Sequence, residues 1–164
     1  MARQLAAHYN APFVPEYGRT YCEAYGTDLV PEDLVRIMNG HVDLTEETRN
    51  GAGAVFFSDT DPLMTAAWQM MMFGERSKEL DAFTNIGDLY LLLEDDLPWI
   101  DDGLRVHGSE EERALFQRLS KEELDRRNVP YVTITGEGEL RKRMAIAVVD
   151  KLLALRGHIV PAEV

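Results

Sequence analysis

The run Ser58-Asp59-Thr60-Asp61 follows four consecutive apolar residues, Ala54-Val55-Phe56-Phe57. A carboxylate at the tip of a buried strand is held rigidly beside the next helix, where it can hold a magnesium-bound water or take a proton from a hydroxyl. Asp61 directly precedes Pro62 and also suits a helix cap. The pattern therefore divides the pair: Asp61 is partly a cap and a candidate base, and Asp59 is the candidate metal ligand. Glu16-Tyr17-Gly18-Arg19 sets an acid, an aromatic ring, a turn and a base within four positions. It suits a hydroxyl-activating carboxylate beside an anion-binding arginine, or equally a surface ion pair of small worth.

Pro98-Trp99-Ile100-Asp101-Asp102-Gly103-Leu104-Arg105 places a Trp, two acids and an Arg in one loop. Loops carrying such groups often close over ligands. Arg105 is the candidate clamp on a transferring phosphate. Trp99 is the candidate stacking ring, with Asp101 and Asp102 beside it; the alternative is a Trp plugging the core and two solvated acids. Gly136-Glu137-Gly138 with Arg141 suits either a turn that lets backbone approach an adenine, with the arginine near phosphate, or a plain tight turn. Met70-Met71-Met72 reads as core filling. Cys22 reads as a buried apolar residue. His8, His41, His107 and His158 are scattered, so a histidine metal site is not expected.

Positioning these groups requires strands that end where the acids begin. Apolar period and punctuation predict a helix over 1–9, then a strand at Phe13-Val14 running into Glu16–Arg19. A helix capped by Asp28, with Pro31 in its first turn, continues toward Asn50. A strand over 54–57 is followed by helices over 63–73 and 78–84. A strand over 89–93 ends in Glu94-Asp95-Asp96. A loop over 94–108 is the candidate lid. Ser109 and Glu112 form a capping box for a helix reaching about Arg127. A strand over 130–134 precedes a last helix over 140–155. Alternation of this kind implies an α/β fold, a parallel sheet flanked by helices, with ligands beyond the carboxyl ends of the strands.

Bulk properties narrow the classes. The 164 residues, expected to form one domain over 1–164, carry a net charge of −12. That balance argues against nucleic-acid and membrane-surface partners. No apolar run reaches the roughly 20 residues of a membrane span. A single cysteine excludes an internal disulfide. A cytoplasmic protein is expected. No Gly-x-x-x-x-Gly-Lys-Ser/Thr occurs, and none of the lysines (Lys78, Lys121, Lys142, Lys151) follows a glycine-rich loop.

The stretch Asp88–Arg105, Asp-Leu-Tyr-Leu-Leu-Leu-Glu-Asp-Asp-Leu-Pro-Trp-Ile-Asp-Asp-Gly-Leu-Arg, resembles the nicotinamide riboside kinase domain of NadR-type proteins. These are P-loop kinases of a NadR-like AAA group. Glu16–Arg19, Asp59–Asp61 and Gly136…Arg141 fall in that family's order, and Pro-Trp-x-x-Asp-Gly-x-Arg is the most specific part. The resemblance implies a three-layer P-loop kinase-like fold whose first strand and Walker A loop precede a helix reading much like residues 1–6. On this expectation those two elements are missing here, the central strand's neighbours present unpaired edges, and ATP binding by this chain is impaired.

The resemblance further implies ATP and Mg2+ as cofactors and transfer of the γ-phosphoryl group to nicotinamide riboside, giving nicotinamide mononucleotide. Glu16 or Asp61 then contacts sugar hydroxyls, one as base, with Tyr17, Arg19, Trp99, Asp101 and Asp102 toward the substrate. Asp59 meets the metal, Arg105 closes on the phosphate, and Gly136, Gly138 and Arg141 lie near the nucleotide. The alternatives are a kinase of another nucleoside or small metabolite, and a non-catalytic nucleotide- or metabolite-binding regulatory module.

Overall fold

The computed structural model describes residues 1–98 and 107–157. Seven helices and four strands are found among them, in the order α1 (Ala2–Tyr9), β1 (Phe13–Val14), α2 (Tyr17–Tyr25), α3 (Pro31–Asn50), β2 (Phe57–Ser58), α4 (Pro62–Phe73), α5 (Lys78–Ala82), β3 (Tyr90–Leu93), α6 (Glu110–Arg126), β4 (Tyr131–Ile134) and α7 (Gly138–Leu155). The α/β class expected from the alternation is the one observed.

Local chemistry explains most boundaries. Pro62 opens α4, and the Asp61 carboxylate accepts from the Leu63 and Met64 amides. The Ser109 hydroxyl and the Glu112 carboxylate bond each other's backbone N–H at the start of α6, forming the expected capping box. At the start of α3 the structure corrects the sequence: Val30, not Asp28, is the flanking residue, and the Asp33 carboxylate accepts its N–H at 2.9 Å.

A second correction concerns Glu16–Arg19, expected as the run-out of a strand. Glu16 stands at the N-cap of α2, and the next residues are helical. Tyr17 turns its ring toward α3, where an added Cβ at Gly40 would come within 2.2 Å of the ring. A side chain at position 40 would therefore exclude the Tyr17 ring. Third, the strand expected over 54–57 is short: only Phe57 and Ser58 pair. Cys22 is half-buried rather than buried, and the Met70–Met72 cluster lies at intermediate depth.

Pairing is parallel throughout, but the strands form two separate pairs. Phe13 and Val14 of β1 align with Phe57 and Ser58 of β2. Tyr90–Leu93 of β3 align with Tyr131–Ile134 of β4. No described strand joins β2 to β3. Helices bridge the halves instead. On one face α1, which touches β1 and β2, packs against α7, which touches β4. The Tyr9 hydroxyl of α1 donates toward the Ile146 carbonyl and the Asp150 carboxylate of α7, at 3.1 and 2.6 Å. On the other face α3 packs on α4 and α4 on α6. There Leu63, Leu92, Leu124 and Val129 form one core cluster, and Leu34, Ile37, Met38, Ala66 and Leu80 belong to a second.

One buried ionic cluster secures the α6 side. Glu123 is fully buried, and its carboxylate accepts from Arg76, Arg126 and Arg127 at 2.7–3.3 Å. Arg127 also donates to the Leu80 and Phe83 carbonyls at 2.6 and 2.5 Å, which ties α5 to α6. Burial opposes ionisation of Glu123, but Arg126 and Arg127, at the end of its own helix, prevail and lower its pKa.

Candidate functional site

The exit from β2 is built by a short polar relay. The Ser58 hydroxyl donates to the Thr60 carbonyl at 2.9 Å. Its single hydrogen is thus spent, so the 3.0 Å contact between Ser58 Oγ and His41 Nε2 requires the imidazole to donate. His41 is buried on the inner side of α3. Burial lowers its pKa to about 4, opposed by the nearby Asp59 charge, so it stays neutral and carries its proton on Nε2. Thr60 adopts a left-handed conformation (φ 63°), unusual for a β-branched residue.

This turn sends the two acids different ways. The Asp59 amide donates to the Val14 carbonyl at 2.9 Å, and Asp59 is exposed with no ion pair to any described residue. Asp61 turns back to cap α4 and accepts from the Tyr90 hydroxyl at the start of β3. Burial raises its pKa, while the Tyr90 hydroxyl, the Met64 and Leu63 amides and Arg127 pull it down. Its oxygens are committed to structural bonds. Of the two, Asp59 is the carboxylate with a coordination site to spare.

The exit from β3 is arranged otherwise. Glu94 pairs with Lys121 at 2.8 Å, and Asp95 with Arg113 at 3.3 Å. Asp96 receives the Gly136 amide at 2.6 Å and the Arg141 guanidinium. Arg141 also donates to the Glu94 carbonyl at 2.9 Å. Arg141, expected near the adenine or phosphates, is buried and pairs with Asp96. Gly136, with φ 81°, supplies the left-handed turn that lets its amide meet Asp96. Gly138 opens α7 with φ 52°.

Glu16 and Arg19 lie 3.7 Å apart on the first turn of α2 and are partly exposed. Tyr17 packs on the core beside α3. Trp99, Asp101, Asp102 and Arg105, and most of the loop expected as a lid, lie outside the described residues. Sequence reasoning passed over His41, Tyr90 and Asp96. A signal existed for His41, since Leu34, Ile37, Met38 and His41 recur at helical spacing and mark one buried face.

A cleft of about 1150 Å³ opens between β2 and β3, and Glu16, Arg19, His41, Ser58, Asp59, Asp61, Glu94 and Asp95 contribute to its walls. It gathers the acidic ends of both inner strands. Among the described residues no group of three or more His, Cys, Asp or Glu is placed to hold a metal. The hard oxygen of Asp59 fits a magnesium ion carried chiefly by phosphate and water, not one held in a protein cage. No Gly-x-x-x-x-Gly-Lys-Ser/Thr phosphate loop occurs among the 164 residues.

Relatives agree with this architecture. The profile of a family described as AAA domain matches residues 1–143. The trifunctional NAD biosynthesis/regulator protein NadR of Escherichia coli K12 is 32% identical over 143 residues, covering 84% of this chain and 35% of that protein. Its counterpart from Salmonella typhimurium LT2 is 33% identical over 140 residues, covering 82% and 34%. The chain thus spans about a third of the length of these relatives. A crystal structure of NadR protein in complex with NAD and AMP-PNP superposes with a TM-score of 0.73 at 22% identity, over 99% of this chain and 47% of that one. With its parallel strands, acidic strand exits and matching profile, the chain belongs to the AAA domain family, and it shares the fold of the NadR crystal structure.

Proposed function

We propose that the protein serves NAD salvage as a nicotinamide riboside kinase, moving the γ-phosphoryl group of ATP to the riboside 5′-hydroxyl. One observation carries the reading: an exposed carboxylate, Asp59, sits at the exit of a parallel strand, on the wall of a large cleft and free of any described ion pair. The names of the NadR relatives, which are proteins of NAD biosynthesis, support the substrate class.

In this reading Asp59 orients the magnesium that accompanies the nucleotide, and Glu16 with Arg19 borders the acceptor. Asp61 acts by positioning, because its oxygens are already bonded to the α4 amides and Tyr90. Trp99, Asp101, Asp102 and Arg105 remain the proposed riboside-facing and phosphate-facing groups. An acid-rich cleft favours the cationic pyridinium ring of the riboside. Phosphoryl transfer relies on positioning and charge neutralisation, the tasks such groups perform. No step is assigned to the β- and γ-phosphates, whose cradle these residues do not provide.

The test is an assay with Mg-ATP and nicotinamide riboside, run on the chain alone and on the chain joined behind a strand and Gly-rich phosphate loop. Formation of nicotinamide mononucleotide by the joined protein supports the reading. Turnover only with other nucleosides moves the assignment to another small-molecule kinase. Saturable riboside binding without turnover in either form marks a binding module.

A further inference from the structure

We infer that His41 is a positioning residue: acting through Ser58, it holds the turn that sets the Asp59 carboxylate on the cleft wall. Its value to the protein rests on the proposed kinase reading, in which Asp59 orients magnesium. The Asp59 side chain is exposed and has no ion pair to any described residue, so the backbone on either side of it sets its direction. On one side, Ser58 is the last residue of β2 to pair with β1, and the Asp59 amide continues to the Val14 carbonyl at 2.9 Å. On the other, Thr60 is left-handed with φ 63°, a conformation that a β-branched residue keeps only when its surroundings impose it. The Ser58 hydroxyl spans Asp59 by donating to the Thr60 carbonyl at 2.9 Å. Ser58 is exposed, and alone its hydroxyl is free to turn to water. The His41 N–H donated to Ser58 Oγ at 3.0 Å polarises that hydroxyl and turns its hydrogen toward Thr60.

His41 is itself held firmly. It shares the buried face of α3 with Leu34, Ile37 and Met38. Gly40, next to it, leaves room for the Tyr17 ring of α2, which a side chain at that position would displace. The Thr45 hydroxyl donates to the His41 carbonyl at 2.8 Å. A donor mounted on a packed helix fixes its acceptor more precisely than one on a loop. The kind of donor matters too. The β3 exit is held by cations that occupy its carboxylates, whereas the β2 exit is held by a neutral N–H that offers Asp59 no competing charge.

The experiment compares the 164-residue chain with three variants by NMR, without nucleotide or riboside. His41→Gln keeps an N–H donor, His41→Leu keeps bulk alone, and Ser58→Ala removes the link. The Thr60 Cα and Cβ carbon shifts report the turn before any metal is added. They are expected to hold left-handed values in the unaltered chain and in His41→Gln, and to move toward extended values in His41→Leu and Ser58→Ala. Mn2+ is then added. The concentration that half-broadens the Asp59 amide should rise about tenfold or more in His41→Leu and Ser58→Ala, and stay within about twofold in His41→Gln. Ser58→Ala should do this with its melting temperature almost unmoved, because an exposed hydroxyl contributes little to stability. Thr60 shifts alike in every chain overturn the positioning role, as do shifts that move equally in His41→Gln and His41→Leu. Should His41→Leu fail to fold, Ser58→Ala decides: native shifts and a native Mn2+ response in that variant overturn the relay. An Asp59 amide that ignores Mn2+ in the unaltered chain overturns the metal reading of Asp59, while the Thr60 shifts still decide the role of His41.

Discussion

The two inner strands, β2 and β3, both end in acid, yet the two exits differ. Just beyond β3 each of three consecutive carboxylates has a cationic partner: Glu94 with Lys121, Asp95 with Arg113, Asp96 with Arg141. Beyond β2, Asp61 is bonded into α4 and to Tyr90, and Asp59 has no described ion pair. The lesson is that acidity alone does not mark a site. Paired acids at the β3 exit fasten α6 and α7 to the sheet, and Asp59 at the β2 exit, with no ion pair among the described residues, is the acid we propose for chemistry. Lys121, Arg113 and Arg141 decide which carboxylates at this rim are spent.

The largest expected effect breaks the fastened side. Glu123→Ala leaves Arg76, Arg126 and Arg127 without their buried counter-charge and should cost about 3–5 kcal/mol, read as a fall in denaturation midpoint. A fully folded variant with an unchanged midpoint would remove this cluster from the account of stability.

The next prediction contrasts the exits directly, in a form of the protein that turns over riboside. Asp59→Asn should lower turnover by about a hundredfold, near 2.7 kcal/mol, with the melting temperature almost unmoved. Asp96→Asn should do the reverse, losing about 1–2 kcal/mol of stability as Arg141 and the Gly136 amide lose their anion, with turnover largely kept. Paired measurements of kcat and melting temperature check both.

A smaller effect sharpens the β2 side. His41 has a folded-state pKa of about 4, below the unfolded value near 6.5, so the unfolded chain binds the extra proton first as pH falls. Stability from this residue is complete above pH 6.5 and is lost progressively between 6.5 and 4, by on the order of 3 kcal/mol. His41→Gln, which keeps a donor toward Ser58, should flatten the profile across that window. Urea midpoints at pH 7 and pH 5 for both proteins supply the comparison, and identical pH slopes would contradict it.

Much of the fold was legible because its signals are local. Ser109 and Glu112 announce a helix start, Pro62 another, and Leu89–Leu93 a strand, of which Tyr90–Leu93 pair. The resemblance carried by Asp88–Arg105 reached the correct family. What local signals could not give was pairing. Whether Arg141 faces a phosphate or Asp96 depends on two segments 45 residues apart. The same holds for Tyr90, which reads as one more apolar strand residue until Asp61 meets it from 29 positions away. Glu16–Arg19 was misread because Phe13-Val14 is a two-residue strand, too short for a period to reveal where extended chain gives way to helix. The run Ala54–Phe57 looked like a longer, buried strand because composition reports apolarity, not burial or hydrogen bonding; Ala54 is exposed, the other three are half-buried, and only Phe57 finds a partner in β1.

The contrast between the exits is tested most directly by adding Mn2+ to the chain and following paramagnetic broadening of assigned amides. Broadening should appear first at Ser58, Asp59 and Thr60, with Glu94, Asp95 and Asp96 affected only at higher metal. Equal or earlier broadening at Glu94–Asp96 would mean that their ion pairs do not withhold them from a cation, and the division between a fastening exit and a working exit would fall.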